Sequence, residues 1–300
     1  MTLEQLRIFV AVAEREHITQ AARDIHLTPS ATSAAIAALE ARHAARLFDR
    51  VGRGIVLTEA GRLFLPEARA VLARASAAEK VLADLAGLVH GTLALAGSQT
   101  VANYWLPPLI EAYRGRYPGV AVSLIIGNTD FVAARVQEGA ADLGFIEGGI
   151  EAPVLAATAV AEDEMVLVAP VTHPWHWRPP TSPGELIDGP WVLREPGSGT
   201  RAIFESYLGA AGIAPAALRL VLEYPSNEAV RAAVEAGSGV TVISRRVVEG
   251  AIRAGTMALI DYPLPSRPFL SLRHRERYTT KAAQAFQDLA REPQRPESAD

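Results

Sequence analysis

The strongest constraint on this chain is a change of periodicity near residue 90. Up to that point apolar residues recur at the three-to-four spacing of helices, in a background of Ala, Leu, Arg and Glu with few β-branched runs. Beyond it, short apolar runs alternate with amphipathic stretches of helical length. The runs are Thr92–Ala96, Val120–Ile126, Asp142–Ile146, Met165–Ala169, Trp191–Leu193, Leu218–Leu222 and Val240–Ile243. The helical periods between them include Tyr104–Arg114, Phe131–Glu138, Ala202–Ala211 and Glu228–Ala236. Such alternation predicts βαβ units around a buried sheet, and 300 residues predict more than one domain.

The run Thr158–Ala169 carries Glu162-Asp163-Glu164 and is read as a crossover between two α/β lobes. Pro263, Pro265 and Pro268 mark a second crossover, which returns the chain through Phe269–Arg273 to a last helix, Lys281–Ala290. The expected domains are 1–60, a linker helix over 58–90, and 91–300. Within the last, one lobe takes 91–162 with 268–300 and the other takes 163–267.

In the first segment Leu3, Leu6, Phe9, Val10, Val12 and Ala13 share a face of one helix. Thr19 is placed as the N-cap of a short second helix, Gln20–His26. Thr28 as N-cap and Pro29 at the first helical position start a third, which runs to about Arg42. Two short helices joined by a tight turn form a helix-turn-helix, whose second helix enters a major groove. The residues read as facing DNA are Thr28, Pro29, Ser30, Thr32 and Ser33, whose hydroxyls suit phosphates and base edges. Arg50 and Arg53 flank the Gly-rich tip of a hairpin wing and suit phosphate. The competing reading is an Ala-rich helical hairpin with solvated arginines. Bulk charge does not decide: the chain is formally −4, so any contact with duplex is a local face.

From about Thr58 to Val89 a single long helical pattern carries a broken apolar stripe, with Pro66 expected to kink it. A stripe on a long polar helix calls for a partner, either its own chain or a second copy.

Three strand ends in the second segment combine Gly or Asn with hydroxyls, giving donors suited to an anion. The residues singled out are Ser98, Gln99 and Thr100; Asn128 and Thr129; and Gly197, Ser198, Gly199 and Thr200. Simple helix capping competes for each of the three. The third loop also fits a loose dinucleotide fingerprint, with Glu223 about 20 residues on. That leaves a small-anion or nucleotide-binding protein with a helical dimerisation module as the alternative. The absence of cysteine excludes disulfide scaffolds, thiolate metal sites and Cys nucleophiles. No GxSxG elbow and no metal spacing of histidines occur, so neither enzyme activity nor a cofactor is expected. Met1-Thr2-Leu3-Glu4 opens no secretory signal and no apolar run approaches a membrane span, which predicts a cytoplasmic protein without a membrane partner.

The run His17–Glu40, continued by Leu47-Phe48-Asp49-Arg50 and Leu57-Thr58-Glu59-Ala60-Gly61, resembles the winged helix-turn-helix of LysR-type transcriptional regulators. Ala34 and Ala35 depart from it, because many members carry a longer polar residue there; reading of DNA shape gains weight accordingly. Residues 91–300 resemble the family's two-lobed, periplasmic-binding-protein-like effector domain. Asp142–Gly148 and Arg194–Arg201 are most similar to the branch regulating carbon fixation and sulfur-oxyanion or cysteine metabolism. The resemblance implies an N-terminal all-α winged helix-turn-helix with a long linker helix, followed by an α/β effector domain. It implies promoter DNA as partner and self-association as dimer or tetramer. The implied effector is a small anion (a sulfur oxyanion, a cysteine precursor or a phosphorylated metabolite), with the positions of Ser98, Thr100, Thr129 and Ser198 lining its pocket.

Overall fold

The computed structural model describes residues 1–52, 54–85 and 91–292, which form two compact units divided near residue 88. The first unit opens with α1 (Leu3–Arg15), started by a capping box in which Thr2 Oγ1 accepts from Gln5 N while Gln5 Oε1 accepts from Thr2 N. Its inward face is Leu6, Ile8, Phe9, Val12 and Ala13; Leu3, expected inward, is exposed because it lies in the first turn, beyond the core. Next comes α2 (Ile18–Asp24), capped by His17, whose Nδ1 accepts from Gln20 N. Thr19, expected as the cap, lies inside the first turn instead. The fully buried Ala21 and Ala22 leave room for α2 to pack on α1 and on α3 (Pro29–His43).

A two-stranded wing follows, with β1 (Phe48–Val51) antiparallel to β2 (Gly54–Leu57). Glu40 of α3 holds it in place, since its Oε1 accepts from both Leu47 N and Phe48 N, at 2.7 and 3.2 Å. Thr58 then caps the 27-residue α4 (Glu59–Leu85): its hydroxyl donates to Arg46 O and accepts from Gly61 N. Gly61 packs so closely on the turn before β1 that a Cβ would lie 2.2 Å from Leu47 O. Pro66 falls inside α4, and Val89, the expected end of the linker helix, lies outside the described residues.

The second unit runs β3 (Gly91–Ser98), α5 (Gln99–Tyr104), α6 (Leu106–Arg116), β4 (Val120–Gly127), α7 (Thr129–Glu138), β5 (Leu143–Glu147) and β6 (Leu155–Asp163). It continues β7 (Met165–Pro170), β8 (Pro190–Arg194), α8 (Gly199–Ala210), β9 (Arg219–Tyr224), α9 (Asn227–Glu235), β10 (Thr241–Ser244), α10 (Arg245–Arg253), β11 (Met257–Ile260), β12 (Arg267–His274) and α11 (Lys281–Arg291). One lobe is a five-stranded sheet in the order β4-β3-β5-β12-β6, parallel among β4, β3 and β5 and antiparallel around β12. Trp105 sits in its core with Phe145 and Phe269, ring centroids 5.8 Å away in each case. The other lobe combines β10-β7-β11 with the parallel pair β8-β9, and the bridge Trp191–Val240 stitches the two together.

Two local expectations change. The stretch from Thr158 is not connector: Leu155–Asp163 is an edge strand, and the crossover is the single residue Glu164 between β6 and β7. Its alternating exposure and acidic end disguise it as loop. The helix expected from Tyr104 is two helices broken at Trp105, because Pro107 and Pro108 open a new first turn. Among the described residues no helix is long and apolar enough to cross a membrane, and no cluster of His, Asp and Glu could hold a metal.

Candidate functional site

Two surfaces carry the residues singled out from the sequence. On the first unit the start of α3 is exposed at Thr28, Pro29 and Ser30. Thr28 Oγ1 accepts from Ala31 N at 3.2 Å and pairs with Ser30 Oγ at 3.1 Å, so its hydroxyl caps the helix. Thr32 does not belong to the face. It is fully buried and its hydroxyl donates to Thr28 O at 3.1 Å, a back-bond within the helix. Helical geometry turns position 32 toward the core with Ile36 and Leu39, while Ser33 is half-buried beside it. What α3 presents outward is Ser30 followed by Ala31, Ala34, Ala37, Ala38 and Ala41, a smooth and nearly uncharged ridge. Arg50 is exposed on β1, Arg42 in the last turn of α3 and Arg46 between α3 and the wing; Arg53 lies outside the described residues.

In the second unit the three polar strand ends meet between the lobes, but in three distinct roles. Ser98, Thr100 and Thr200 all bond the carboxylate of Glu147, which ends β5 and is 2% exposed. Ser98 Oγ donates to Oε2, while Thr100 Oγ1 and Thr200 Oγ1 lie 3.2 and 3.5 Å from Oε1. Gln99, Asn128 and Gly197 instead join lobe to lobe. Gln99 Nε2 donates to Pro225 O at 2.6 Å and its Oε1 accepts from Asn227 N at 2.9 Å. Asn128 Nδ2 donates to Glu195 Oε1 at 3.2 Å, and Gly197 O accepts from Asp130 N at 3.4 Å. The third group consists of Thr129 and Ser198. Thr129 Oγ1 and Ser198 Oγ are buried hydroxyls without a hydrogen-bond partner. They flank Gly199, where a Cβ would lie 2.7 Å from Thr129 Oγ1 and 2.5 Å from Glu147 O; the close approach of the two lobes here requires glycine.

Beneath these loops lies a charged cluster centred on Arg267, a residue the sequence does not single out. Arg267, the first residue of β12, is completely buried. Its Nε donates to Asp163 Oδ2 at 2.8 Å, its Nη1 to Thr200 Oγ1 at 3.1 Å and its Nη2 to Thr100 Oγ1 at 3.5 Å, with Glu147 Oε1 at 3.8 Å from Nη1. On the opposite side Arg194 grips Glu195 with two bonds of 2.8 and 3.0 Å and donates to Asn227 Oδ1; Asn227 Nδ2 in turn donates to Thr100 Oγ1 at 3.0 Å. At the rim, Tyr104 OH donates to Glu228 Oε1, and burial together with that carboxylate raises the phenol above its ordinary range. Glu223, which the dinucleotide fingerprint needs for a ribose, is ion-paired with Arg201. The one signal that marked Arg267 is a lone basic residue opening an apolar strand in the proline-rich return, and nothing local tells which carboxylate it meets.

Buried hydroxyls gathered where two α/β lobes meet, and an exposed helix beside a two-stranded wing, can be set against similar proteins. Residues 3–62 match the bacterial regulatory helix-turn-helix of the lysR family, and residues 86–295 match the LysR substrate binding domain. The chain is 36% identical over 290 residues to the uncharacterized HTH-type transcriptional regulator YeiE of Escherichia coli K12, covering 96% of each. It is 35% identical to a RuBisCO operon transcriptional regulator of Acidithiobacillus ferrooxidans, covering 87% of this chain and 83% of that one. Full-length CbnR complexed with its target DNA superposes with a TM-score of 0.69 at 24% identity, over 97% of this chain and 99% of that one. The regulatory domain of Synechocystis PCC6803 CcmR in complex with 2-PG superposes at 0.61 with 25% identity, over 67% and 96%.

Proposed function

Because this chain belongs to the LysR family of DNA-binding transcriptional regulators with an effector domain, we propose that it is a cytoplasmic, self-associating regulator whose promoter binding responds to a small anion held between the two lobes of that domain. The observation that carries the effector reading is the pair of buried, unpartnered hydroxyls of Thr129 and Ser198. A buried hydroxyl without a partner costs about 1–3 kcal/mol, so two of them at facing strand ends mark a place where a ligand oxygen supplies the missing bonds. Ser98, Thr100 and Thr200 complete the donor set, with Arg267 as the cation. The effector classes are those of the sequence reading: a sulfur oxyanion, a cysteine precursor or a phosphorylated metabolite, the last favoured by the 2-PG held by CcmR. Glu147 already engages the Ser98, Thr100 and Thr200 hydroxyls, so an anion competes with an internal carboxylate for them. Such competition favours compact anions of high charge density, and it gives the two lobe arrangements unequal affinity, without which no ligand shifts a population.

The head reads duplex with α3 in the major groove, and its alanine ridge favours close approach and shape readout over polar base contacts. Ser30 and Arg50 are its polar contacts. A second copy docks along α4, where Leu63, Val71 and Leu82 stand exposed on an otherwise polar helix. No step of catalysis is assigned: the buried acids Glu147 and Asp163 are engaged by hydroxyls and by Arg267.

The test is thermal-shift titration of the full chain with sulfite, sulfate, O-acetylserine and 2-PG. Saturation at about 100 times Kd stabilises the effector unit by roughly 2.7 kcal/mol. Thr129→Val with Ser198→Ala abolishes the shift while leaving the ligand-free melting temperature equal or higher, since two unsatisfied hydroxyls are gone. A double variant that still responds fully to the anion defeats the assignment.

A further inference from the structure

Arg267 reaches the cleft with its two Nη groups, yet its Nε points away from the cleft, to Asp163. Asp163 is the last residue of β6 and Arg267 the first of β12, and the two stand opposite each other in the β6–β12 register. They therefore sit where the chain leaves one lobe and where it comes back. Asp163 is 1% exposed and receives three groups: Arg267 Nε at 2.8 Å, Ser244 Oγ at 2.7 Å from the end of β10 in the other lobe, and Arg246 Nε at 3.6 Å. Ser244 Oγ also accepts from Arg246 N, which fixes the start of α10 to the same point. The guanidinium that closes this hinge with Nε reaches Thr100 on one lobe and Thr200 on the other with Nη2 and Nη1.

A guanidinium is flat and rigid, so its two ends cannot reorient independently. When the lobes separate, Thr100 and Thr200 move apart and one of the Nη bonds breaks. The plane then turns and the Nε–Asp163 bond is strained. No exposed salt bridge transmits in this way, but here both carboxylates and the cation are dry and re-solvation is not available as an escape.

We propose that Arg267 is a positioning residue that couples occupancy of the cleft to the hinge: one rigid cation reports the spacing of the Thr100 and Thr200 hydroxyls to Asp163. This rests on the effector reading above, but it is testable without any effector. The readout is amide hydrogen exchange of the full-length protein at the hinge bond Arg245 N to Glu164 O. Thr200→Val removes a cleft-side acceptor of Arg267 and does not touch this bond. Its expected effect is at least a fivefold faster exchange at Arg245 N, with Thr200→Ser restoring the wild-type rate. Ser244→Ala, on the hinge side, is expected to accelerate the same amide and, in the anion titration, to change affinity although Ser244 touches no cleft hydroxyl. In an Asp163→Asn background the effect of Thr200→Val on hinge exchange disappears.

Hinge exchange unchanged in Thr200→Val overturns the proposal, as does acceleration of the same size in the presence and absence of Asp163. A purely structural role for Thr200 loosens α8 and leaves Arg245 N as it was. If none of sulfite, sulfate, O-acetylserine and 2-PG shifts the wild-type protein, the effector reading fails, and the exchange comparison still decides the coupling.

Discussion

The exposed ridge of α3 and the buried cleft of the effector domain are opposite solutions to recognition. Over the first turns of α3 the polar side chains are few, short and already used in capping, as Thr28 is, or turned inward, as Thr32 is. What remains is a shape that a polyanion can approach closely. In the cleft almost every polar group has a partner inside the protein, and the two hydroxyls that have none stand out against that background. A surface that binds a large charged partner can leave its pairing to the encounter. A cleft that binds a small ion must be assembled beforehand, because the ion brings too few contacts to order the site itself.

That contrast can be broken most forcefully in the cleft. Arg267→Met leaves Asp163 and Glu147 without their buried cation and is expected to cost about 3–5 kcal/mol, a fall of about 10 °C in the effector-unit transition by calorimetry. The transition of the head is expected to stay where it is. Gly61→Ala is the corresponding injury to the head: a methyl 2.2 Å from Leu47 O forces α4 away from the turn before the wing. It is expected to cost about 1–3 kcal/mol in the head, abolish DNA retention in a gel shift, and leave the anion-induced shift of the effector unit intact. Glu40→Ala removes the acceptor of two backbone amides and is expected to cost about 2 kcal/mol in the same transition, with a loosened wing seen as faster exchange at Phe48 N.

Arg50→Ala leaves both transitions unchanged and weakens DNA binding alike on all sequences. The slope of log K against log salt is expected to drop by about 0.9, one phosphate contact. The smallest effect concerns His173, beside Trp175 in the second lobe. Burial holds its imidazole below the ordinary value of 6.5, so the unfolded chain takes up that proton at a higher pH than the folded one. This contribution to stability is complete above that value and declines as pH falls through it. His173→Gln is expected to flatten the pH dependence of melting below pH 6.5 by less than about 2 °C, measured by the melting temperature at stepped pH.

Much of the fold was legible because its signals are local. The cap at Thr28 and the proline at position 29 act on amides within four residues, and the apolar runs mark strands wherever both faces are covered. The edge strand Leu155–Asp163 escaped because one of its faces meets solvent and its end is acidic. The donor set of the cleft was legible as three polar strand ends, but not the division of labour among them. Gln99 and Asn128 look the same in sequence as residues that meet a ligand, yet each is spent on the facing lobe.

The sequence alone determined that the chain has a helical head with a capped recognition helix and an α/β body built for a ligand between lobes, because periodicity, caps and turn chemistry are properties of neighbours. Only the tertiary structure decided that Thr32 faces the core, that Glu147 occupies the donors of its own cleft, and that Arg267 meets Asp163 from 104 positions away. The reason is the range of the forces involved. A hydrogen bond to the next turn is encoded within a few residues, whereas the partner of a buried charge is set by strand register and by which segments exclude water together, and both exist only once the sheets have formed.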